Sequence, residues 1–149
     1  ARPTPRYRVV KYLIDTMVLS EAARPTPAAS VVEWLRAQVS LDVAVSVLTF
    51  GEIERGVARM VQGRRKTELE RWLGSELRDY FGERVLPVDL EVARAWGVLT
   101  ASSERRGHRL PVVDGLLLAT ARVHGLTIVT RNVDDFAGHD VPVHNPYAP

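Results

Sequence analysis

Short apolar runs alternate with longer stretches of helical periodicity along the chain. The runs that predict strands lie at 9–14, 43–47, 85–88, 126–130 and 141–143. Pro87 puts the third run near a sheet edge or a strand end, because proline cannot donate a hydrogen bond to a neighbouring strand. Strands that alternate with helices predict right-handed crossovers and a mainly parallel sheet that is covered on both faces.

The segments between these runs show the apolar spacing of amphipathic helices. Apolar residues at positions 53, 57, 60 and 61 form one stripe, which predicts a helix that ends at Gly63. Ser30 and Glu33 have the spacing of a capping box and predict the start of another helix. Further helices are predicted at 18–23, at 69–81, from Asp89 through position 99, and at 113–123 before Gly125.

Composition narrows the class of protein. A length of 149 residues with 46% hydrophobic and 26% charged residues favours one folded domain, which we predict over 9–149 after a tail over 1–8. The lack of cysteine excludes disulfides and thiolate zinc sites. No apolar stretch approaches the ~20 residues that cross a bilayer, and no signal peptide is visible, so we expect a cytoplasmic protein without membrane association.

Three acidic residues stand where the apolar pattern would predict something else. Asp15 directly follows the first predicted strand, and ligands in open α/β sheets gather beyond the carboxyl ends of strands. Glu52 borders a buried helical stripe, and Asp114 shares a helix face with apolar residues. Each also has a structural interpretation: Asp15 as a turn or cap residue, Glu52 as a solvated helical residue, and Asp114 as a helix N-cap.

Taken together, the three acids predict a cation site. Carboxylates gathered at one end of a sheet would repel by several kcal/mol per close pair at an effective dielectric near 20. Such a cluster persists with a cation or with protonation. Oxygen ligands without cysteine suit Mg²⁺ or Mn²⁺ rather than zinc. A metal held in this way can activate water and neutralise the charge that develops on a phosphodiester.

Other phosphate chemistries fit the sequence poorly. No GxxxxGK followed by Ser or Thr occurs and no GxGxxG occurs, so P-loop and Rossmann fingerprints are absent. Met17 stands where a haloacid-dehalogenase-type phosphotransferase has its second Asp, and Ile14 stands where a phospho-receiver domain has an acid. The four histidines show no metal-ligand spacing and are interpreted as loop and helix-end residues.

Basic residues are concentrated in two clusters, although the net charge is only +2. The first cluster contains Arg64, Arg65 and Lys66, and the second contains Arg105, Arg106 and Arg109. Clusters of this kind can contact the phosphates of a nucleic acid. They can equally be solvated helix ends and loops, and the small net charge does not decide between the two interpretations.

Four segments carry a resemblance to a known family. They are YLIDTMVLSE at 12–21, SVLTFGEIERG at 46–56, LPVVDGLLLATA at 110–121 and TIVTRNVDDF at 127–136. The first resembles the opening of PIN-domain proteins, and the Asn145-Pro146 tail is similar to the FitB branch. Because the segments span nearly the whole chain in the right order, the chain is identified as resembling PIN-domain toxins of the VapC/FitB type, which belong to type II toxin–antitoxin modules.

The resemblance implies a PIN-like three-layer α/β/α sandwich with a central, mainly parallel sheet. It also implies a Mg²⁺-dependent endoribonuclease in which Asp15, Glu52 and Asp114 match the core metal-binding and catalytic acids. The fourth family acid falls on Asn132, and Asp135 lies close enough along the chain to substitute for it.

The family further implies a homodimer that cleaves RNA and a small VapB/FitA-like antitoxin that carries the complex to operator DNA. In the leading hypothesis the basic clusters admit RNA to the acidic site. The alternative is a catalytically weak or inactive PIN-like module that acts by binding its antitoxin and nucleic acid. It is favoured by Asn132 and by Met17, which replaces the family's usual Asn. A preference for DNA is a third possibility, because no residue here can be shown to read a 2′-hydroxyl.

Overall fold

The computed structural model describes residues 10–148, and its centre is a parallel sheet of five strands in the order β3-β2-β1-β4-β5. The strands are β1 (Tyr12–Ile14), β2 (Val43–Ser46), β3 (Val85–Leu86), β4 (Thr127–Val129) and β5 (Val143–His144). Each neighbouring pair is parallel, as the alternation of strands and helices predicted. The predicted tail over 1–8 lies outside the described residues, and the limits of the single domain stay a prediction.

Helices fill the connections between the strands. The first three are α1 (Thr16–Ala22), α2 (Ala29–Ala37) and α3 (Val47–Ala58). A longer helical segment runs from α4 (Arg64–Arg71) through a π-helical turn, Trp72–Glu76, into α5 (Leu77–Phe81). The remaining helices are α6 (Leu90–Arg105), α7 (Val112–His124) and α8 (Val133–Phe136). None of the helices in the described range is both long and apolar enough to cross a membrane.

Two hydrophobic clusters cover the two faces of the sheet. Leu13 belongs to the cluster formed with α6, α7 and α8, whereas Ile14 belongs to the cluster formed with α1, α2, α3 and α5. Adjacent strand residues point to opposite faces, so β1 supplies both clusters from the middle of the sheet. This explains why its sequence is continuously apolar up to Asp15. The three-layer α/β/α architecture expected from the sequence is confirmed.

Several local predictions were wrong. The helix predicted to start at a capping box begins at Ala29 with Ala28 in the N-cap position, and Ser30 donates its hydroxyl to the Tyr147 carbonyl oxygen at 3.4 Å. A long-range contact therefore takes the hydroxyl that the local pattern assigned to the cap. Helix α3 ends at Ala58 rather than Gly63, which leaves Val61 91% exposed.

Helix α7 packs tightly on α6 at Gly115. A Cβ atom on Gly115 would lie 3.0 Å from Cδ1 and Nε1 of Trp96 and 3.2 Å from Cδ2 of Leu110. Gly97, on α6, has no atom within 4 Å of the corresponding position. The two helical glycines therefore differ in whether space exists for a methyl group.

We expect Gly115→Ala to destabilise the protein by about 1–2 kcal/mol, since overpacking costs about 1–3 kcal/mol and the better helix propensity of alanine offsets only part of it. Gly97→Ala is the matched control and should stabilise the protein by up to about 1 kcal/mol. Urea unfolding of both variants measures the two signs. Equal effects would show that the glycine at 115 is not required by packing.

Candidate functional site

Asp15 lies where β1 meets α1, at the carboxyl edge of the sheet. Its Oδ1 accepts a hydrogen bond from the Thr16 backbone N–H at 2.7 Å, which caps α1. Its Oδ2 accepts a hydrogen bond from the Thr130 hydroxyl at 2.8 Å. Because β4 pairs with β1, the residue that follows β4 is brought beside Asp15. Both carboxylate oxygens of Asp15 are thus oriented by neighbouring elements, and the side chain is 8% exposed.

Glu52 reaches the same edge from α3. This helix starts directly after β2, where the Leu48 N–H donates to the Ser46 hydroxyl at 3.0 Å. The Thr16 hydroxyl donates to Glu52 Oε1 at 2.5 Å and lies 3.3 Å from the Thr49 hydroxyl. A threonine at the start of α1 therefore connects Asp15 and Glu52 through its backbone and its side chain.

Asp114 lies half-buried in the first turn of α7. The interpretation of Asp114 as an N-cap is excluded, since Pro111 occupies the cap position and no side chain caps this helix. A carboxylate in the first turn is favoured by the helix dipole. The first turn of α7 therefore positions the Asp114 carboxyl group, and that group does not cap the helix.

The acids form one electrostatic unit. Burial raises the pKa of Asp15 above its ordinary value of 3.8; hydrogen bonds from Thr130 and Thr16 oppose this rise, and the charges of Glu52 and Asp135 add to it. The pKa of Asp114 is also raised, first by burial and then by the charges of Asp15, Asp135 and Glu52.

No positive side chain offsets these four acids by an ion pair within residues 10–148, where the ion pairs involve other carboxylates. The centre thus combines negative charges from the end of β1, from α3, from α7 and from α8, and no described ion pair engages them.

The donor chemistry of the centre fits a hard divalent cation, because it consists of carboxylate and hydroxyl oxygens. Within the described part of the chain, however, no group of three or more His, Asp or Glu side chains is arranged so that it could hold a metal ion. Glu52 and Asp135 are exposed, whereas Asp15 is buried.

The two candidates for the fourth acid occupy different surroundings. The Asn132 side-chain amide lies 3.5 Å from the Met17 sulfur, and its backbone N–H donates to the Thr130 hydroxyl at 3.1 Å. Asp135, on α8, contributes to the raised pKa values of both Asp15 and Asp114. Asp135 thus adds negative charge to the acidic centre, whereas Asn132 can add only a neutral amide oxygen.

The first basic cluster is largely paired with its own helix. Arg64 Nε lies 3.2 Å from Glu68 Oε1, and Lys66 Nζ lies 4.0 Å from a Glu70 carboxylate oxygen. Arg65 donates to the Ala23 carbonyl oxygen at 2.8 Å. Arg65 also lines a cavity of about 290 Å³ that includes Thr16 and Glu52. Of the three residues in this cluster, Arg65 is the one that lines a cavity together with Glu52.

The second basic cluster borders the other side of the acidic centre. Arg106 and Arg109 line a cavity of about 300 Å³ together with Asp135, whereas exposed Arg105 is not among its lining residues. The six basic residues predicted to bind nucleic acid are therefore not equivalent: Arg65, Arg106 and Arg109 border cavities at the acids. Whether any of them contacts RNA stays a prediction.

Two neighbours of the acids were missed from the sequence. Thr130 orients Asp15 through its hydroxyl. The sequence shows that Thr130 ends a predicted strand, but it does not show that this strand lies beside β1. Tyr147 donates its hydroxyl to the Met17 carbonyl oxygen at 3.4 Å, while the Arg131 guanidinium lies 4.9 Å from the Tyr147 ring centroid. No local sequence pattern predicts that Tyr147 contacts α1.

Known proteins are similar to this chain in sequence and in architecture. A family model described as PIN domain matches residues 12–141. The chain is 36% identical over 135 residues to the protein named toxin FitB of Neisseria gonorrhoeae, covering 91% of this chain and 97% of that protein. It is 32% identical over 137 residues to the VapC ribonuclease Y4jK of Sinorhizobium fredii, covering 92% and 98%. A solved structure of FitAB bound to an IR36 DNA fragment superimposes with a TM-score of 0.88 at 34% identity, covering 93% of this chain and 96% of that chain.

Proposed function

The chain belongs to the PIN-domain family, and on that premise we propose that it is a Mg²⁺-dependent endoribonuclease, the toxin component of a type II toxin–antitoxin module. The observation that supports this most is the acidic centre. Carboxylates from four separate parts of the chain interact at the carboxyl edge of the sheet, and no described ion pair neutralises them. Carboxylates whose pKa values are raised by burial and by one another are found preferentially at functional sites.

In this proposal Asp15 and Asp114 hold the principal Mg²⁺, and Mn²⁺ would substitute for it. Glu52 is a further ligand or orients the attacking water, and Asp135 or Asn132 completes the set. A divalent cation bound there would activate water and neutralise the charge that develops on the scissile phosphodiester.

The surrounding residues prepare the acids for this role. Thr130 and the Thr16 N–H fix the orientation of the Asp15 carboxylate, which reduces the conformational freedom lost when it binds a ligand. Among residues 10–148, the Glu52 carboxylate accepts a hydrogen bond only at Oε1, from the Thr16 hydroxyl, so Oε2 remains to accept one from a water molecule. Glu52 is also exposed at the cavity that Arg65 borders, where a substrate strand can approach.

The proposed partners follow from the relatives. One relative is named a toxin, and a solved structure of the related FitAB assembly contains a DNA fragment. We therefore propose that this chain binds a small FitA- or VapB-like antitoxin, that it contacts operator DNA only through that antitoxin, and that it forms a homodimer.

Cleavage of a single-stranded oligonucleotide tests the proposal. We expect the wild-type protein to cleave the RNA strand with Mg²⁺ or Mn²⁺ and to lose activity in chelator, because the carboxylates alone cannot neutralise the developing charge. A DNA strand of the same sequence is the matched substrate. Equal cleavage with and without metal would contradict the metal-dependent reaction, and preferred cleavage of DNA would contradict the ribonuclease assignment.

A non-catalytic binding module is the second candidate function, favoured by the direct contact between Met17 and Asn132 at the site. The double variant Met17→Asn/Asn132→Asp distinguishes the two functions. If the native chain is an active nuclease, we expect a change of less than about tenfold in kcat/KM, since the Asp15, Glu52 and Asp114 carboxylates are unaltered. A gain from undetectable to strong cleavage would instead identify the native chain as the binding module.

A further inference from the structure

A second polar cavity adjoins the acidic centre through Asp135. Its volume is about 300 Å³, and it lies between the loop that follows α6 and the segment around α8. One part of its lining is acidic and the other is basic or imidazole-bearing. The acidic residues are Asp134 and Asp135, and the others are Arg106, His108, Arg109 and His139. We call this the Arg–His cavity.

Hydrogen bonds hold the two segments of the Arg–His cavity together. Arg106 Nη1 donates to the Gly138 carbonyl oxygen at 2.9 Å, and Arg106 Nη2 lies 3.2 Å from His139 Nδ1. On the other side, the buried Ser103 hydroxyl donates to the His108 carbonyl oxygen at 2.9 Å. Hydrogen bonds therefore connect the loop after α6 with the segment that follows α8.

The contact with Arg106 fixes the chemical state of His139. A guanidinium group has only donors, so Nδ1 must accept and the ring proton must lie on Nε2. Burial, the Arg106 charge and His108 lower the pKa of His139, which agrees with a neutral ring. His139 thus offers one N–H donor to a ligand in the cavity.

Arg109 is the cation with the greatest capacity to bind a ligand. Among the described residues, no hydrogen bond or ion pair engages its guanidinium, in contrast to that of Arg106. Its N–H groups form a planar fork that matches phosphate oxygens. An anion in the cavity would therefore bind mainly to the Arg109 guanidinium, and His139 would supply a further hydrogen-bond donor.

We propose that the Arg–His cavity is a subsite for one nucleotide that flanks the scissile bond, with its phosphate on Arg109. The inference rests on the proposed ribonuclease function. Asp135 belongs both to this cavity and to the acidic centre, so the cavity adjoins the proposed cleavage site. The acidic part disfavours free inorganic phosphate, whereas the sugar hydroxyls or base amino groups of a nucleotide can donate to Asp134.

Steady-state cleavage of a short RNA tests the subsite. We expect Arg109→Ala to raise KM about five- to tenfold, to change kcat less than twofold, and to reduce the salt dependence of log KM by about 0.7, the loss of one phosphate contact to a single strand. Arg122→Ala, near the far end of α7, removes the same charge from an exposed position and should leave KM and kcat within twofold. The inference is overturned if the two variants behave alike.

A binding measurement separates this inference from the proposed function. In chelator, we expect adenosine 5′-monophosphate to shift the imidazole NMR signals of wild-type His139 and His108, inorganic phosphate at the same concentration to shift them less, and Arg109→Ala to abolish the response. Equal responses to both probes, or a response that persists in Arg109→Ala, would overturn the nucleotide subsite. If wild type fails to cleave RNA while the selective shift occurs, the proposed function fails and the nucleotide cavity stands.

Discussion

We expect Asp15→Asn to lower kcat/KM for RNA cleavage by on the order of 10³-fold, equivalent to about 4 kcal/mol of transition-state stabilisation. Asparagine removes a negative oxygen that the proposed cation requires. It retains an oxygen that can accept from the Thr16 N–H, so the cap of α1 persists. The amide can face the Thr130 hydroxyl, which can reorient to accept. The loss of activity should therefore occur in a folded protein.

Two controls make this prediction specific. Asp79→Asn removes the same charge from an exposed position on α5 and should leave kcat/KM within about twofold. Thermal unfolding in chelator should show Asp15→Asn to be at least as stable as wild type, because one of the repelling carboxylates is gone. Full activity of Asp15→Asn would remove this residue from the mechanism, whereas a fall in Tm would attribute the loss to misfolding.

Stability should depend strongly on divalent cations. At a Mg²⁺ concentration about a hundred times Kd, binding to the folded state alone contributes about 2.7 kcal/mol. For a chain of this size such a contribution raises Tm by about 5–11 °C. Asp114→Asn should lose most of this response, whereas Asp79→Asn should keep it. Thermal unfolding with and without Mg²⁺ measures the effect, and equal Tm shifts in all three proteins would mean that the ion binds elsewhere.

The same carboxylates predict the pH dependence of stability in chelator. The pKa of Asp114 is raised in the folded protein, so the folded state binds more protons than the unfolded state as pH rises above 3.8. The contribution of Asp114 to stability therefore falls as pH rises from 3.8 through its raised pKa, and the penalty is complete above that pKa. Asp114→Asn should be the more stable protein at neutral pH, and the two stabilities should converge below pH 3.8, where the carboxyl group is protonated in both states. A difference that grows toward acid pH would have the wrong sign.

The sequence predicted the strands and helices correctly where the local hydrophobic pattern and the tertiary packing agree. The run at 126–130 contains β4, and the predicted helix at 113–123 coincides with α7, which ends at Gly125 in the left-handed conformation that glycine adopts readily. Prediction failed where contacts between distant residues determine the local structure. The Ser30 hydroxyl donates to the Tyr147 carbonyl oxygen and caps no helix. The start of α4 was also missed, because its first turn is charged and has no apolar periodicity.

The acidic centre was predictable only in part, for a physical reason. Asp15 was recognisable as an acid that ends a buried strand, but its partner Thr130 depends on strand order, which no local pattern encodes. The spacing of the histidines indicates no metal site, so the sequence alone gives them no shared role. Yet His108 and His139 line one cavity, since α6 and α8 end close together. Long-range pairings of this kind arise from topology and not from spacing along the chain.

The central claim is that the acids at the carboxyl edge of the sheet bind a divalent cation, although they are not prearranged around one. Calorimetric titration of Mn²⁺ into wild-type protein and Asp15→Asn tests it most directly. We predict saturable binding to wild type and affinity at least tenfold weaker in Asp15→Asn. Equal affinity in the two proteins, or no binding to wild type at millimolar Mn²⁺, would contradict the claim.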